Sequence, residues 1–246
     1  MLDVGRGPLL VGVADRPAAV VHCAELSPEE RLFDLVEARV DLFAEQSLDG
    51  CAHACAQLEA SGTPVVVTIR TTAQGGRFAA GDGDRLPRFR NALAIASWAD
   101  VESDATIVAD VAALVGARPG GELIVSHHDF ARTPPLATLL GIVDNCHRTP
   151  GAIAKVATAI ANDADRDTLF QLLAQRPGRT TVIGMGASND LRIELAARGS
   201  LLSYGYLEVP TAPGQLSAAE THARLVAASP AYAARRAAAV SERSSR

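Results

Sequence analysis

Lysine is almost missing from this chain of 246 residues, because every one of its 23 basic side chains except Lys155 is an arginine. Lys155 lies inside the apolar stretch GAIAKVATAI at 151–160. An arginine supplies a positive charge and a planar hydrogen-bonding fork, but it cannot form an imine with a ketone. The retained lysine therefore favours chemistry that needs an amine. The alternative is a lysine that reaches solvent or pairs with a carboxylate from a strand end.

Other missing features limit the partners and the location of the protein. The net charge is −5 and the arginines form no basic block, so nothing indicates a nucleic-acid partner and a small ligand is expected. No run approaches the roughly 18 apolar residues of a membrane span, and the chain does not begin with a charged segment followed by a long apolar one, as a signal peptide would. We expect a cytoplasmic protein that does not contact a membrane.

The four cysteines lack the spacing of a zinc site. Cys51, His53 and Cys55 cluster in CAHAC at 51–55. On a helix, however, position 53 points away from positions 51 and 55, and no second ligand pair follows at zinc-site spacing. We expect free cysteines in a reducing compartment and no metal.

Short apolar segments rich in β-branched residues alternate with helical patterns along the whole chain. We predict eight strands, at 9–14, 35–43, 64–70, 98–103, 122–128, 152–157, 180–186 and 201–206. Apolar residues at i, i+3 and i+4 predict helices between them, for example at 48–60, 135–147 and 165–175. Eight such repeats over about 250 residues are typical of a (β/α)8 barrel, with an open doubly wound sheet as the alternative. We predict a single domain over 1–246 with a frayed tail at 241–246.

Two helix starts carry capping signals. Thr133 precedes Pro134, which is typical of an N-cap followed by proline at the first helical position. Ser217 and Glu220 have the spacing of a capping box at the start of the last predicted helix.

Barrel active sites lie at the C-terminal ends of the strands, so the polar residues there are candidates for the site. They are Glu37, Arg39, Asp41, Arg70, Asp100, Glu102, Ser126, His127, His128, Asp129, Lys155 and Arg192. Alternation puts Lys155 on one face of its strand together with Ile153 and Ala157. Burial in a barrel lumen lowers the pKa of an amine and so makes it a better nucleophile.

An imine acidifies the neighbouring carbon, and a base must then remove a proton from that carbon. Histidine suits this task because its usual pKa is near 6.5. Strand alternation gives His127 and His128 opposite faces, so only one should face the lysine, and alternation alone leaves open which. Each histidine by itself is more often a structural hydrogen-bonding residue.

Glu37, Arg39 and Asp41 share one face of the second predicted strand. Such a face often meets solvent, but strands of a parallel barrel face either the lumen or the covering helices, so a lumen network or a polyol site is favoured. Arg70 ends the third strand, and the Gly75-Gly76 pair after it fits either a lid or an ordinary turn.

These motifs, in this order, resemble type I 3-dehydroquinate dehydratase, a Schiff-base enzyme of the shikimate pathway of aromatic amino acid biosynthesis. The resemblance covers nearly the whole chain. It depends on E-x-R-x-D at 37–41, TIRTTAQGG at 68–76, SHHDFARTP at 126–134, AKVA at 154–157, MGASNDLR at 185–192 and APGQ at 212–215.

The resemblance implies an imine between Lys155 and the C3 ketone of 3-dehydroquinate, with His128 as general acid and base and no cofactor. It also implies that Arg192, Thr211 and Gln215 hold the substrate carboxylate. The remaining implied substrate-binding residues are Glu37, Arg39, Arg70, Gln74, Met185 and Ala212. A homodimer is expected from the same resemblance.

Three differences from the family pattern stand out. Gln74 replaces the usual glutamate, and Gly12 stands where a serine near the substrate is common. MGASNDLR is one residue shorter than the family motif and has Leu191 in place of the serine that precedes the arginine. They motivate two alternatives to the dehydratase: a related Schiff-base lyase or aldolase acting on another carboxylated ketone, and a non-catalytic paralogue that binds quinate or shikimate.

Overall fold

Eight parallel strands form a nearly closed barrel in the computed structural model, which describes residues 4–5, 7–186, 189–212 and 214–244. The strands are β1 (Leu9–Ala14), β2 (Leu35–Arg39), β3 (Val65–Thr68), β4 (Trp98–Glu102), β5 (Leu123–Asp129), β6 (Ile153–Ala159), β7 (Thr180–Met185) and β8 (Leu202–Tyr206). Consecutive strands pair from β1 to β7, and β8 pairs with β1. A backbone hydrogen bond of 2.8 Å from Leu9 to Leu201 and one of 2.9 Å from Leu201 to Thr180 link both sides of the remaining gap. The predicted barrel is confirmed, and the doubly wound alternative is not, because β1 lies between β2 and β8.

Helices alternate with the strands around the outside of the barrel. They are α1 (Pro17–Glu25), α2 (Ala52–Ala60), α3 (Asp82–Leu93), α4 (Val108–Gly116), α5 (Leu136–Cys146), α6 (Asp163–Gln175), α7 (Asn189–Ala197), α8 (Ala218–Ala228) and α9 (Pro230–Ser244). Short 3-10 turns span Val40–Leu42, Asp49–Cys51 and Thr72–Gln74. No helix in the described ranges combines the length and the apolar character that a bilayer span requires.

The interior has two apolar layers, one between the strands and the helices and one inside the lumen. Each strand alternates between them, so that in β1 Leu10 and Ala14 face the helices while Leu9, Val11 and Val13 face the lumen. The lumen floor comes from the early residues of the strands, mainly Leu35, Val66, Trp98, Ile124, Ile153 and Leu202. The residues two positions later along these strands share the same face and lie one layer higher. They are Glu37, Thr68, Asp100, Ser126, Lys155 and Tyr204.

Two local predictions are wrong for identifiable reasons. The second strand ends at Arg39 and not at 43, because Val40–Leu42 turns and lets the Asp41 carboxylate bind back onto the Arg39 guanidinium. Thr133 is not an N-cap, because α5 begins at Leu136 after the extended residue Pro135. The Thr133 hydroxyl instead donates to the Ala159 carbonyl at 2.7 Å.

The predicted capping box is confirmed. The side chain of Ser217 accepts from the Glu220 backbone, and the Glu220 side chain accepts from the Ser217 backbone, at the start of α8. The frayed tail stays a prediction, since α9 continues to Ser244 and residues 245–246 lie outside the described ranges.

The last helix is attached to the N-terminal end of the barrel through the buried carboxylate of Asp34. Asp34 accepts hydrogen bonds from Arg235 at 2.6 Å, from Arg236 at 3.0 Å and from the Leu10 backbone at 2.8 Å. Burial by itself would raise the pKa of Asp34, but the two guanidinium groups outweigh it and hold the pKa below its usual value. We call this contact the Asp34 clasp.

Replacing Asp34 by Asn should destabilise the protein by about 3 kcal/mol, because two buried guanidinium groups lose their counter-charge. Urea unfolding of both proteins at pH 7 measures the difference. The difference in the free energy of unfolding should shrink as the pH falls below about 4. The unfolded wild type then takes up a proton that the folded protein resists, so the stabilisation from the Asp34 carboxylate is progressively lost. The control is Asp144→Asn, which removes an exposed ion pair with Arg176 and should leave the midpoint nearly unchanged. Equal midpoints for the wild type and Asp34→Asn would contradict the role of the clasp.

Candidate active site

One cavity at the C-terminal ends of the strands brings together every site residue implied by the family resemblance. These are Glu37, Arg39, Arg70, Gln74, His128, Lys155, Met185, Arg192, Thr211, Ala212 and Gln215. The wall also contains residues that the sequence did not single out for the site, namely Val13, Gly75, Phe130, Ala157, Ile183 and Tyr204. Ala187 and Ser188 of the MGASNDLR motif, and Pro213 of APGQ, lie outside the described residues.

Lys155 lies on β6 with only 5% of its surface exposed. Its Nζ donates to Asp100 Oδ2 at 2.8 Å and lies 3.8 Å from Glu37 Oε1. The Tyr204 ring lies beneath the amine, with its centroid 4.2 Å from Nζ. The amine is thus held at a fixed point of the cavity.

The Asp100 carboxylate on β4 is the centre of a buried ionic network. Its Oδ1 accepts from Arg70 at 2.7 Å and from the Ser126 hydroxyl at 2.6 Å, while Oδ2 accepts from Lys155. Burial would raise the pKa of Asp100, but the charges of Arg70 and Lys155 outweigh it and hold the pKa well below its usual range. Asp100 therefore stays ionised. Alternation along its strand, two residues after the lumen residue Trp98, identifies it as a lumen residue.

Two further carboxylates organise the β2 side of the cavity. Glu37 Oε1 accepts from the Thr68 hydroxyl at 2.8 Å. Asp41 binds the Arg39 guanidinium through two hydrogen bonds of 2.9 Å and accepts from the Arg77 backbone at 3.1 Å. Burial would lower the pKa of Arg39, but Asp41 raises it, so the guanidinium is a permanent cation in the cavity wall.

His128, and not His127, faces the cavity with the lysine. Its backbone N–H donates to Gln74 Oε1 at 3.0 Å, and its ring Nδ1 lies 3.2 Å from the same oxygen. Burial, with the positive charges of Arg70 and Lys155, lowers the pKa of His128 well below 6.5. At neutral pH the imidazole is therefore uncharged and can accept a proton.

The opposite wall carries cationic and amide groups. Arg192, in the first part of α7, lines the cavity although its motif is one residue short. Burial lowers the pKa of Arg192 to about 10, which still leaves it cationic at pH 7. Gln215 Oε1 accepts from the Thr211 backbone at 2.8 Å and from the Thr211 hydroxyl at 3.0 Å. A cation and a fixed amide on one wall suit an anionic group of a ligand.

Gly12 does not line the cavity. A side chain built at this position would meet Leu207 and Phe33, at 3.0 and 3.2 Å, on the outer face of β1. The neighbouring Val13 lines the cavity instead. The interpretation of Gly12 as a position near the ligand is therefore wrong, because strand alternation turns it toward the helices.

Two aromatic residues of the site were missed. Phe130 stacks beside His128 with ring centroids 6.3 Å apart, and it covers Gly75, where an added Cβ would lie 2.3 Å from the ring. The buried Tyr204 hydroxyl has no hydrogen-bond partner among the described residues. Burial, together with Glu37 and Asp100, raises the pKa of Tyr204 well above 10, so the phenol keeps its proton. Strand alternation from Leu202 could have identified Tyr204.

The cysteines contribute nothing to this cavity. All four are free and buried, and Cys51 and Cys55 contact each other through their sulfurs at 3.9 Å. In the described part of the chain no group of three or more His, Cys, Asp or Glu side chains is arranged to hold a metal ion.

A family model and sequence relatives identify one family. A family model described as type I 3-dehydroquinase matches residues 14–228. A 3-dehydroquinate dehydratase of Methanocella arvoryzae is 33% identical over 184 residues, which are 74% of this chain and 82% of the relative. A 3-dehydroquinate dehydratase of Methanothermobacter thermautotrophicus is 32% identical over 184 residues, which are 74% of this chain and 80% of the relative. The crystal structure of the 3-dehydroquinate dehydratase from Aquifex aeolicus aligns with a TM-score of 0.77 at 25% identity, covering 89% of this chain and 98% of that one.

The lowered pKa of His128 predicts a specific pH dependence of stability. Below about pH 6.5 the histidine of the unfolded chain takes up a proton that the folded site does not, so the stability that this residue contributes is lost as the pH falls. Urea unfolding measures the stability of the wild type and of His128→Asn at pH 7.5 and at pH 5. Between these two pH values the wild type should lose more stability than His128→Asn, and the extra loss can reach about tenfold in the unfolding equilibrium constant per pH unit. Identical pH dependence in the two proteins would show that the folded site protonates like the unfolded chain.

Proposed function

The chain belongs to the type I 3-dehydroquinase family, and from this premise we propose that it is a 3-dehydroquinate dehydratase, a hydro-lyase that acts through an imine on Lys155. The observation that carries the proposal is that the sole lysine and an uncharged histidine face one cavity from neighbouring strands. Ser126 is the partner of Lys155 in the pairing of β5 with β6, and His128 follows two residues later on the same face.

The substrate is a carboxylated ring with hydroxyl groups and one ketone. Arg192 binds its carboxylate, and Gln215 adds the Nε2 amide, because its Oε1 is already used by Thr211. Glu37 and Arg39 bind ring hydroxyls on the other side. Arg70 directs N–H groups at Asp100, Ser126 and Glu102, and its remaining N–H groups are available to a hydroxyl.

In the first step the ammonium of Lys155 gives one proton to the uncharged imidazole of His128, and the resulting free amine attacks the C3 ketone. His128 returns this proton to the hydroxyl of the carbinolamine, which leaves as water and gives the protonated imine. Asp100 and Glu37 support this step because they stabilise the positive charge of the protonated imine, as they do that of the ammonium before the reaction. Tyr204 adds its aromatic face below the same nitrogen. Asp100 serves as a fixed counter-charge, since its pKa is too low for it to hold a proton.

His128 then removes the proton from C2, and the electron pair moves into the imine to form an enamine. As the enamine collapses, the C1–oxygen bond breaks, and His128 returns a proton to the departing hydroxyl, which leaves as water. Hydrolysis of the imine consumes one water, replaces the one lost during imine formation and releases 3-dehydroshikimate. The imine is the electron sink, so the elimination needs no cofactor. Met185 and Phe130 are apolar neighbours of the reacting ring in this arrangement.

The imine is tested by reduction with borohydride during incubation with 3-dehydroquinate. Intact-protein mass spectrometry should show a single covalent adduct, and peptide mapping should assign it to Lys155. The matched control is Lys155→Arg, which keeps the positive charge beside Asp100 but cannot form an imine, and it should give no adduct and no turnover. Turnover is followed by the rise in ultraviolet absorbance of the conjugated product.

Each other result of this experiment points to a different function. An adduct on Lys155 with another keto acid but none with 3-dehydroquinate supports a related lyase or aldolase. Thermal stabilisation by quinate or shikimate with neither adduct nor turnover supports a binding protein. Turnover by Lys155→Arg would exclude the imine mechanism. Homodimer formation stays a prediction from the resemblance.

A further inference from the structure

The amide of Gln74 connects His128 to a carboxylate that lies outside the cavity wall. Gln74 is 6% exposed and ends the 3-10 turn Thr72–Gln74. Its Nε2 donates to Asp104 Oδ1 at 2.9 Å, and Asp104 lies in the connection between β4 and α4. On the other side of the amide, Gln74 Oε1 accepts from the His128 backbone N–H at 3.0 Å and lies 3.2 Å from the ring Nδ1 of His128.

The two ends of this amide cannot be exchanged without cost. An ionised carboxylate only accepts hydrogen bonds, and a backbone N–H only donates. The reversed amide would set its oxygen against the Asp104 carboxylate and its NH2 group against the His128 N–H. Both contacts would be repulsive, so Asp104 and the His128 backbone together keep Oε1 toward the imidazole.

The orientation of Gln74 decides which imidazole nitrogen carries the proton. An amide oxygen has no hydrogen to donate, so the contact with Nδ1 is favourable only if Nδ1 is the protonated nitrogen. A neutral imidazole has one N–H, so Nε2 is then left with a free lone pair. A general base must present such a lone pair to the proton that it removes.

We propose that Asp104 is a positioning residue that orients the Gln74 amide, fixes His128 as the Nδ1–H tautomer and thereby leaves Nε2 as the base. Its catalytic consequence rests on the dehydratase function proposed above. Asp104 acts only through Gln74 and need not touch the substrate.

The same contact explains why position 74 carries an amide. A glutamate there would bring a second carboxylate to within about hydrogen-bond distance of Asp104, where two negative charges repel each other. Glutamine instead supplies the donor that Asp104 requires and the acceptor that His128 requires. The difference from the family pattern is therefore compensated by the residue at position 104.

The charge around His128 is consistent with a neutral partner at position 74. The charged groups that face it are Arg70 on β3, Lys155 on β6, Arg39 on β2 and Asp100 on β4. The three cations disfavour an imidazolium and Asp100 favours it. An amide leaves this balance unchanged, whereas a carboxylate at position 74 would add a second group that favours the imidazolium.

A double-mutant cycle tests the coupling, with Gln74→Glu, Asp104→Asn and the two combined. Asp104→Asn should lower kcat less than about 3-fold, because the asparagine oxygen still accepts from Gln74, while Gln74→Glu should lower it about 10-fold or more through repulsion between the carboxylates. In the combined variant the introduced asparagine can donate to the introduced glutamate, so kcat should recover to within about 3-fold of the wild type. In the combined variant the acidic limb of the pH profile of kcat should move to higher pH, because the introduced carboxylate raises the pKa of the neighbouring His128 imidazole.

The tautomer is measured without any turnover, by 15N NMR of protein labelled at histidine. The His128 signals, assigned by their loss in His128→Asn, should show a protonated Nδ1 and an unprotonated Nε2 in the wild type. In Asp104→Leu, which removes the acceptor, only the His128 backbone N–H still orients the amide, so a measurable fraction of the Nε2–H tautomer should appear. The control is Asp110→Asn, an exposed carboxylate of α4, which should change neither the tautomer nor kcat.

The proposal would be overturned by an Nε2–H tautomer in the wild type, by Gln74→Glu with wild-type kcat, or by a combined variant no better than Gln74→Glu alone. Poor folding of Asp104→Leu would leave the wild-type tautomer and the cycle as the deciding measurements. A wild type that holds the Nδ1–H tautomer, loses it in part in Asp104→Leu and does not convert 3-dehydroquinate would refute the proposed function and support the positioning role, whereas an unchanged tautomer in a folded Asp104→Leu would overturn that role.

Discussion

The site depends on the carboxylate of Asp100, which lies buried between two cations. Arg70 and Lys155 each lose most of their hydration inside the barrel, at a cost of several kcal/mol per ion, and a carboxylate shared between them offsets much of it. Asp100 assigns one oxygen to Arg70 and Ser126 and the other to Lys155. The position of the amine is thereby set from β4, while its proposed partner His128 comes from β5. The amine and the imidazole keep a fixed geometry because neighbouring strands hold them in register.

The barrel itself imposes the need for such a network. Its strands are parallel, and the residue two positions after each apolar floor residue points into the same lumen. Any charged residue at that level is buried and must find a partner inside the lumen. The charges therefore form one connected layer, in which Lys155 contacts both Asp100 and Glu37, above an apolar floor.

Most of the fold and the strand residues of the cavity wall could be predicted from short periodic patterns. The loop residues of the wall, namely Gln74, Thr211, Ala212 and Gln215, and Met185 at the end of β7, were expected only from the family resemblance. Eight apolar segments and strand alternation are enough to bring Lys155 and one histidine to the same end of a barrel. Contacts between distant segments have no such local signature. The partner of Gln74 lies 30 positions away at Asp104, and the hydroxyl of Thr133 binds β6 and not its own helix. The early end of β2 has a similar cause, since Asp41 turns back to Arg39 for a side-chain contact that strand propensity does not encode.

The Asp34 clasp also determines when the protein can finish folding during synthesis. Asp34 and Arg235 are separated by 201 positions, and β8 must be made before it can pair with β1. While the chain is still growing, the first strand has one unpaired edge and the Asp34 carboxylate lacks its two cations. The barrel can close only after β8 has been made, and α9 then secures the strands that were made first.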